Sequence, residues 1–351
     1  MEFLQGIGLV GNLAAFAAAA AIAWWGGDRL ARAADALTER TRAGQALVGV
    51  VLLGVMVSLP ELTFAAVAAA FGNAALAVNA LLGGVAMVMV MVAVTDLVVG
   101  PEPLSRDVQH PVVMLQGALT ILMLVTVGAG ITVGDRPLPG IGLAGIWTTL
   151  LLVLYAIALF LVRSVQRRHP WRPDSSPPDD AAAEGSGQQR SKRADSARSI
   201  ALRLGTSAAA VVFAGTVMAF SADAITAQTA IGAGLIGFLF GGISTSLPEL
   251  STTISSARLG RYEMAFADAF GTNLCSIALL FLADVIYPGP PILNEVGRFS
   301  LFAVMVGAGV TAIYLVGLVA RPRRPVLRMG PDSVAMLAVA AAGFVILASL
   351  Q

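Results

Sequence analysis

The chain has 351 residues, of which 57% are hydrophobic and 12% charged, with 22 Lys and Arg against 21 Asp and Glu. Soluble domains carry about 25% charged residues, so this composition, with a mean hydropathy of +0.82, excludes a soluble globular fold and places the chain in a bilayer. The net charge of +1 names no charged partner, and the single cysteine, Cys275, excludes an intramolecular disulfide and a cysteine-based metal cage.

Apolar stretches of about 20 residues span a hydrocarbon core as helices. Ten are predicted, at 5–25, 43–70, 74–98, 111–133, 141–162, 201–220, 228–257, 263–287, 299–320 and 332–350. The first reads as a retained span rather than a cleaved leader, because it has Glu2 and no Lys or Arg before Arg29. The second and seventh are longer than one crossing requires, and each holds a Pro-Glu pair. Residues 164–199 are rich in Pro, Ser, Gly and mixed charge, and are expected to form a disordered cytoplasmic linker.

Ten spans put both termini on one side. With the termini outside, the cytoplasmic segments collect nearly all of the 22 basic residues, leaving only Arg136 and Arg298 outside. The positive-inside rule therefore favours that orientation.

The string Ser-Leu-Pro-Glu-Leu occurs at 58–62 and again at 246–250, an offset of 188 residues. The same offset aligns Asp35 with Asp223, Gly44 with Gly232, Gly49 with Gly237 and Gly54 with Gly242. It also aligns Gly72 with Gly260, Gly83 with Gly271 and Asp96 with Asp284, with no gap. This is an internal duplication. Five spans separate equivalent points, an odd number, so the second copy is inverted relative to the first. The expected fold is an all-α polytopic membrane protein of about ten helices. Residues 1–163 form one five-helix repeat, 164–199 the linker, and 200–351 the second repeat.

Proline inside a spanning helix removes a backbone hydrogen bond and frees backbone groups that must face protein or a hydrated cavity. Glu61 and Glu249 follow those prolines near the middle of their segments. A charged acid at bilayer depth costs about 2.5–3.5 kcal/mol on insertion scales, and neither segment contains a Lys or Arg to offset it. The missing counter-charge is a bound cation or a proton. Ser58, Thr245 and Ser246 lie within one turn before the glutamates, and such oxygens suit hard cations.

The string GISTSLPEL at 242–250, with DAFGTNLCS at 268–276, resembles the second α-repeat of the sodium/calcium exchanger family of cation antiporters. VMVSLPEL at 55–62 and LLGGVAM at 81–87 resemble the first, and GGDRLARAADAL at 26–37 resembles the family's glycine-acid stretch. The resemblance implies two inverted five-helix halves with cation sites between the second, third, seventh and eighth helices. It places the paired ion-binding glutamates at Glu61 and Glu249, with Thr245, Ser246 and Ser58 beside them. It places the Gly-Ser-Asn motif at Gly271, Thr272 and Asn273, and in the first half at Gly83, Gly84 and Val85. The position that completes the family's ion cage one turn later is Ser276 here, and Val88 in the first half. Donors are thus lost at Val57, Gly84 and Val88. The two glutamates and the hydroxyls of Ser58, Thr245, Ser246, Thr272 and Ser276 remain as the candidate cation and metal site. Asp268 is a further one-sided acid, since its repeat partner is Ala80.

Other polar residues are expected to do less. Asp96 and Asp284 end their spans, where solvation or helix capping is expected. Asp35 and Asp223 are expected to orient or cap the broken helices. Met87, Met89 and Met91 are expected to pack, as is Cys275, while His110 and His169 are placed in loops without partners. No HExxH, GxSxG or phosphate-binding loop occurs, so an enzyme is not expected. The function expected is secondary antiport of Ca²⁺ or another cation against Na⁺ or H⁺. The alternatives are Na⁺/H⁺ or Ca²⁺/H⁺ antiport, or a non-transporting protein that keeps the fold. No cofactor, nucleic acid or obligate protein partner is implied beyond the transported Ca²⁺, Na⁺ or H⁺ and the surrounding lipid of a bacterial-type cell membrane.

Overall fold

The computed structural model describes residues 6–41, 58–100, 102–139, 144–168, 197–322 and 324–351. Among them, the helices in chain order are α1 (Gly8–Thr41), α2 (Leu59–Ala70), α3 (Ala74–Val99), α4 (Pro111–Val133) and α5 (Ile146–Arg168). They continue as α6 (Ala197–Gln228), α7 (Ala233–Thr245), α8 (Leu247–Arg258), α9 (Tyr262–Ile286), α10 (Arg298–Ala320) and α11 (Pro331–Ser349). Eight of these are long and apolar enough to cross a membrane, and α7 with α8 makes a ninth crossing bent by 44°. The apolar α2 covers the later part of the predicted segment 43–70. The earlier part, with Gly44, Gly49, Gly54 and Val57, lies outside the described residues.

Three predicted ends move. The first span was expected to stop at residue 25, yet α1 runs to Thr41, because the stretch LARAADAL is built of strong helix formers with no proline. The sixth extends to Gln228 rather than 220, so Asp223 lies inside α6 rather than ahead of the next helix. The fifth continues through Arg168, past the predicted linker start at 164; Arg167 and Arg168 in its last turn complement the helix dipole. Residues 169–196 of the predicted linker are outside the described set.

The break between α7 and α8 follows from Pro248, and Pro60 plays the same part at the start of α2. Each proline sits in the first turn of its helix, where its missing N–H is not needed and its ring disfavours helix just before it. A π turn over Gly237–Gly241 also distorts α7, as π turns often do near functional sites.

Burial sorts the helices by depth. The most apolar window of α3 is 89% buried and that of α9 67%, against 28% for α1 and 17% for α5. Helices α3 and α9 are therefore the centre, and α1 and α5 face lipid. The central packing is close enough to require glycine. A Cβ on Gly83 of α3 would sit 2.1 Å from the Phe238 carbonyl oxygen, and one on Gly242 2.5 Å from the Gly83 carbonyl carbon. At α3 against α7, backbone touches backbone.

Of the two roles expected for Asp96 and Asp284 at their span ends, solvation or helix capping, the structure shows capping; they are 1% and 3% exposed. Asp96 accepts from the Leu104 N–H at 2.9 Å, the Gly330 N–H at 2.6 Å and the Ser333 hydroxyl at 2.6 Å. Asp284 accepts from the Ile292 N–H at 2.6 Å, the Gly145 N–H at 2.7 Å and the Thr148 hydroxyl at 2.5 Å. Leu104 and Ile292 are repeat-equivalent and each opens a 3-10 turn. Each aspartate thus caps a helix of the opposite half: Asp96 in the first half caps α11, and Asp284 in the second caps α5. Carboxylates at helix N-termini are favoured by both the free amides and the dipole.

These contacts also test the topology. They join the end of α3 to the start of α11, and the end of α9 to the start of α5. Asn12 donates to Gln228 at 3.3 Å, Gly232 to Gln351 at 3.0 Å, and Asn73 to Asp223 at 2.8 Å. Every pair joins ends that a ten-span plan puts on one side, as an inverted repeat requires. His110, expected to lack partners, accepts from the Val112 N–H through Nδ1 at 3.3 Å and donates its own N–H to Glu263 at 2.9 Å. His169 lies outside the described residues, and the side chain of Asp35 is likewise not described.

Removing a buried carboxylate strands two amides and a hydroxyl, at about 1–3 kcal/mol for each donor left without a partner. Asp96→Ala and Asp284→Ala are each expected to lower the thermal unfolding midpoint of the detergent-solubilised protein by about 5 °C or more. Asp107→Ala, at a side chain 52% exposed, is expected to leave it within about 1 °C. Equal midpoints for all three variants would show that the cross-half caps carry no load.

Candidate functional site

Four helices deliver the site. Glu61 sits in the first turn of α2 and Glu249 in the first turn of α8, with Ser58 and Ser246 at the respective N-cap positions. Helix α3 supplies Gly84, and α9 supplies Thr272, Asn273, Cys275 and Ser276. The glutamates are 2% and 1% exposed and face each other closely enough for their charges to interact.

Gly84 shows how tight the arrangement is. A Cβ there would stand 2.6 Å from Glu61 Oε1 and 3.8 Å from the Ser246 hydroxyl. The backbone of α3 therefore forms one wall, and any side chain at 84 would take the place of the Glu61 carboxylate. Asn273 Nδ2 donates to the Val85 carbonyl at 3.3 Å. Residues 85 and 273 are repeat-equivalent, so the pseudo-two-fold axis passes through this contact, beside the carboxylate pair.

The two halves do not treat their glutamates alike. Ser276 donates to Glu61 Oε2, and the Ser246 hydroxyl lies beside the same carboxylate. The repeat-equivalent of Ser276 is Val88, buried and apolar, and neither oxygen of Glu249 has a hydrogen-bond partner. The asymmetric lining legible in the sequence thus becomes one held carboxylate and one bare one.

The other predicted residues divide. Thr245 is 1% exposed, and its hydroxyl donates back to the Gly241 carbonyl at 2.9 Å, leaving only its lone pairs for a ligand. Thr272 contributes its carbonyl, which accepts from Ser276 at 3.0 Å. Asp268 is half-buried, accepts from Thr252 at 3.0 Å and lies near enough to act on Glu249. Met87, Met89 and Met91 are buried packing residues. Cys275, expected only to pack, borders the site: its thiol lies against Ser58 and Tyr155 and near Glu61. Sequence reasoning missed Tyr155, because a lone tyrosine in the lipid-facing α5 carries no motif. It also missed Gln116 of α4, whose Nε2 would be 3.3 Å from a Cβ on Gly271.

Buried oxygens without a hydrogen-bond partner gather here: Ser58 Oγ, Glu61 Oε1, Ser246 Oγ, both Glu249 Oε atoms and Asn273 Oδ1. A buried polar atom left unpaired costs about 1–3 kcal/mol, so such a concentration points to a ligand that pairs them. Among the described residues no Lys, Arg or His forms an ion pair with either glutamate. Nor does any group of three or more His, Cys, Asp or Glu adopt a metal-holding arrangement. The donors present are hard oxygens, the kind that Na⁺ and Ca²⁺ prefer.

The chain is similar to known proteins along nearly its whole length. The family described as "Sodium/calcium exchanger protein" matches residues 11–166 and 199–348. The inner membrane protein YrbG of Escherichia coli (strain K12) is 26% identical over 264 residues, covering 75% of this chain and 76% of that protein. The putative antiporter CaxA of Alkalimonas amylolytica is 24% identical over 278 residues, covering 79% and 81%. Among solved structures, the H⁺/Ca²⁺ exchanger CAX superposes with a TM-score of 0.65 at 13% identity, covering 97% of this chain and 86% of that one. The sodium-calcium exchanger NCX_Mj superposes with a TM-score of 0.59 at 14% identity, covering 96% and 98%. The two-repeat membrane fold is therefore that of the exchangers, and family and fold both support cation antiport rather than enzymatic chemistry. This chain belongs to the sodium/calcium exchanger family.

Proposed function

We propose that this protein is a secondary antiporter that moves Ca²⁺ or another hard cation against Na⁺ or H⁺ by alternating access. The observation that carries this reading is the Glu61–Glu249 pair: two buried carboxylates, three of whose four oxygens have no hydrogen-bond partner, with no cationic side chain paired to them among the described residues. Glu61 and Glu249 bind the ion, with Ser58 and Ser246 completing the shell. Ser276 orients Glu61, and Thr245 offers lone pairs. Antiporters of this reach need two equivalent conformations, and an inverted repeat supplies them. The relatives' activities, H⁺/Ca²⁺ exchange in one solved neighbour and sodium-calcium exchange in another, bracket the candidate ions.

A second reading, a protein that keeps the fold without transport, draws on Gly84 and Val88, where the wall of the site is apolar. The two separate in one assay. Radioactive Ca²⁺ uptake into Na⁺-loaded or acid-loaded proteoliposomes is expected from the native chain. Glu61→Gln and Glu249→Gln are each expected to reduce it at least about 100-fold, since each removes one of two charges from a buried site. Full activity in either variant would dismiss the carboxylate pair as the site.

Gly84→Ala places a methyl group where the Glu61 carboxylate lies. It is expected to weaken the apparent cation affinity about 10-fold or more, read as the half-saturating Ca²⁺ in the same assay, with the unfolding midpoint little changed. We also infer that both termini face outward and the 164–199 segment faces the cytoplasm, on the distribution of Arg and Lys. In a Cys275→Ala background, a cysteine introduced at Gln351 is expected to react in intact cells with a membrane-impermeant maleimide. One introduced at Ser164 is expected to react only after lysis. The reverse pattern overturns the orientation.

A further inference from the structure

A second group of orphaned oxygens lies where the end of α3 meets the start of α11. Asp96, at that end, stands about 18 Å along α3 from Gly84 at the helical rise, well away from the glutamate pair. Asp332 sits in the first turn of α11, 8% exposed, and neither of its carboxylate oxygens has a hydrogen-bond partner. Ser105 of the 3-10 turn, 2% exposed, lies beside that carboxylate, and its hydroxyl is unpartnered as well. The amides of Asp332 and Ser333 are near, yet neither completes a hydrogen bond to the carboxylate. The charge that acts on Asp332 is that of Asp96, which has the same sign. Among the described residues no Lys, Arg or His forms an ion pair with either aspartate. Glycine at 317 and at 330 leaves the space, since a Cβ on either would fall on the Asp332 carboxylate.

We propose that Asp332, Ser105 and Asp96 form a second site for a hard cation, Na⁺ or Ca²⁺, separate from the glutamate pair. The two aspartates differ in what they lack. Asp96 spreads its charge over the Leu104 and Gly330 amides and the Ser333 hydroxyl. Asp332 has only the partial charge of the α11 terminus beside it, and a bare buried carboxylate carries a desolvation penalty that a counter-charge offsets. A water between Asp332 and Ser105 would donate to both but supply no charge. A proton on Asp332 would remove the charge and pair one of the three bare oxygens. A cation removes the charge and takes all three as ligands, which are hard oxygens of the kind it prefers. Asp96 adds attraction without giving up its own partners. The opposite membrane face repeats this only in part. Asp135 lies near Asp284, but its Oδ1 is held by the Arg136 and Trp147 amides and Oδ2 alone is unpartnered. The cation is therefore assigned to the α11 end.

The site does not depend on the antiport reading, and the test separates the two. Binding of radioactive Na⁺ and of radioactive Ca²⁺ is measured, in separate arms, on the purified full chain carrying both Glu61→Gln and Glu249→Gln. At least one of the cations is expected to bind still and to raise the unfolding midpoint, as a ligand of the native state does. Adding Asp332→Asn is expected to weaken that binding about 10-fold or more and to abolish the cation-dependent rise in midpoint. Adding Ser105→Ala, which keeps both carboxylates, is expected to weaken it about 3-fold or more. Asp135→Asn, at the opposite face, is expected to leave it within about 2-fold. Should Asp332→Asn not fold, Ser105→Ala decides alone. Absence of binding of both cations to the double glutamine variant overturns the proposal and leaves antiport standing. Binding unchanged by Asp332→Asn or by Ser105→Ala overturns the assignment to these residues. Binding that persists in a chain without transport would keep this site and remove the antiport reading.

Discussion

Two carboxylates held at bilayer depth, with no cationic side chain paired to them among the described residues, are the constraint to which the rest of the molecule answers. Glu61 and Glu249 are almost wholly buried, and at that depth a lone charge is expensive enough to be kept only where something else offsets it. A structural ion pair would have supplied an arginine or lysine beside them. Instead, the described neighbours are hydroxyls, an amide oxygen and glycine backbone, and the proposed function gives the compensation to a mobile cation. The membrane fold and the proposed ion site thus come from one arrangement.

Holding that pair in place requires backbone that is broken where it must be and rigid where it need not move. The prolines at 60 and 248 start α2 and α8 at the site, so that each glutamate projects from a first helical turn. The glycines of α3 and α7 let backbone meet backbone behind it. At the two membrane faces Asp96 and Asp284 bind the starts of α11 and α5 across the halves. Each half therefore caps a helix of the other. The duplication is a folding constraint as well as the basis of the two access states that the proposed function requires.

Much of this was legible before any coordinates. The gapless 188-residue register of prolines, acids and glycines pointed to the inverted repeat, and the absence of basic residues around the Pro-Glu pairs pointed to a cation. What was left open or misread shares one physical cause. Capping was one of two roles open for Asp96 and Asp284, and which helices they cap had to come from the packing, since their partners are backbone amides, which have no sequence signature. His110 looked partnerless for the same reason. Cys275 and Tyr155 enter the site only because α5 and α9 pass each other there.

Local chemistry decides what can be read from one chain. Hydropathy sets the spans, proline sets the breaks, and a buried acid demands compensation wherever it lies, so the sequence by itself determined the membrane class, the duplication and the carboxylate pair. The tertiary structure alone decided that Ser276 serves Glu61 while Val88 leaves Glu249 bare, and that Gly84 makes room for a carboxylate rather than merely losing a ligand. Those outcomes depend on which residues of α2, α3, α8 and α9 meet across more than a hundred positions of chain. Distances between helices, unlike periodicity within them, are set only when the helices pack.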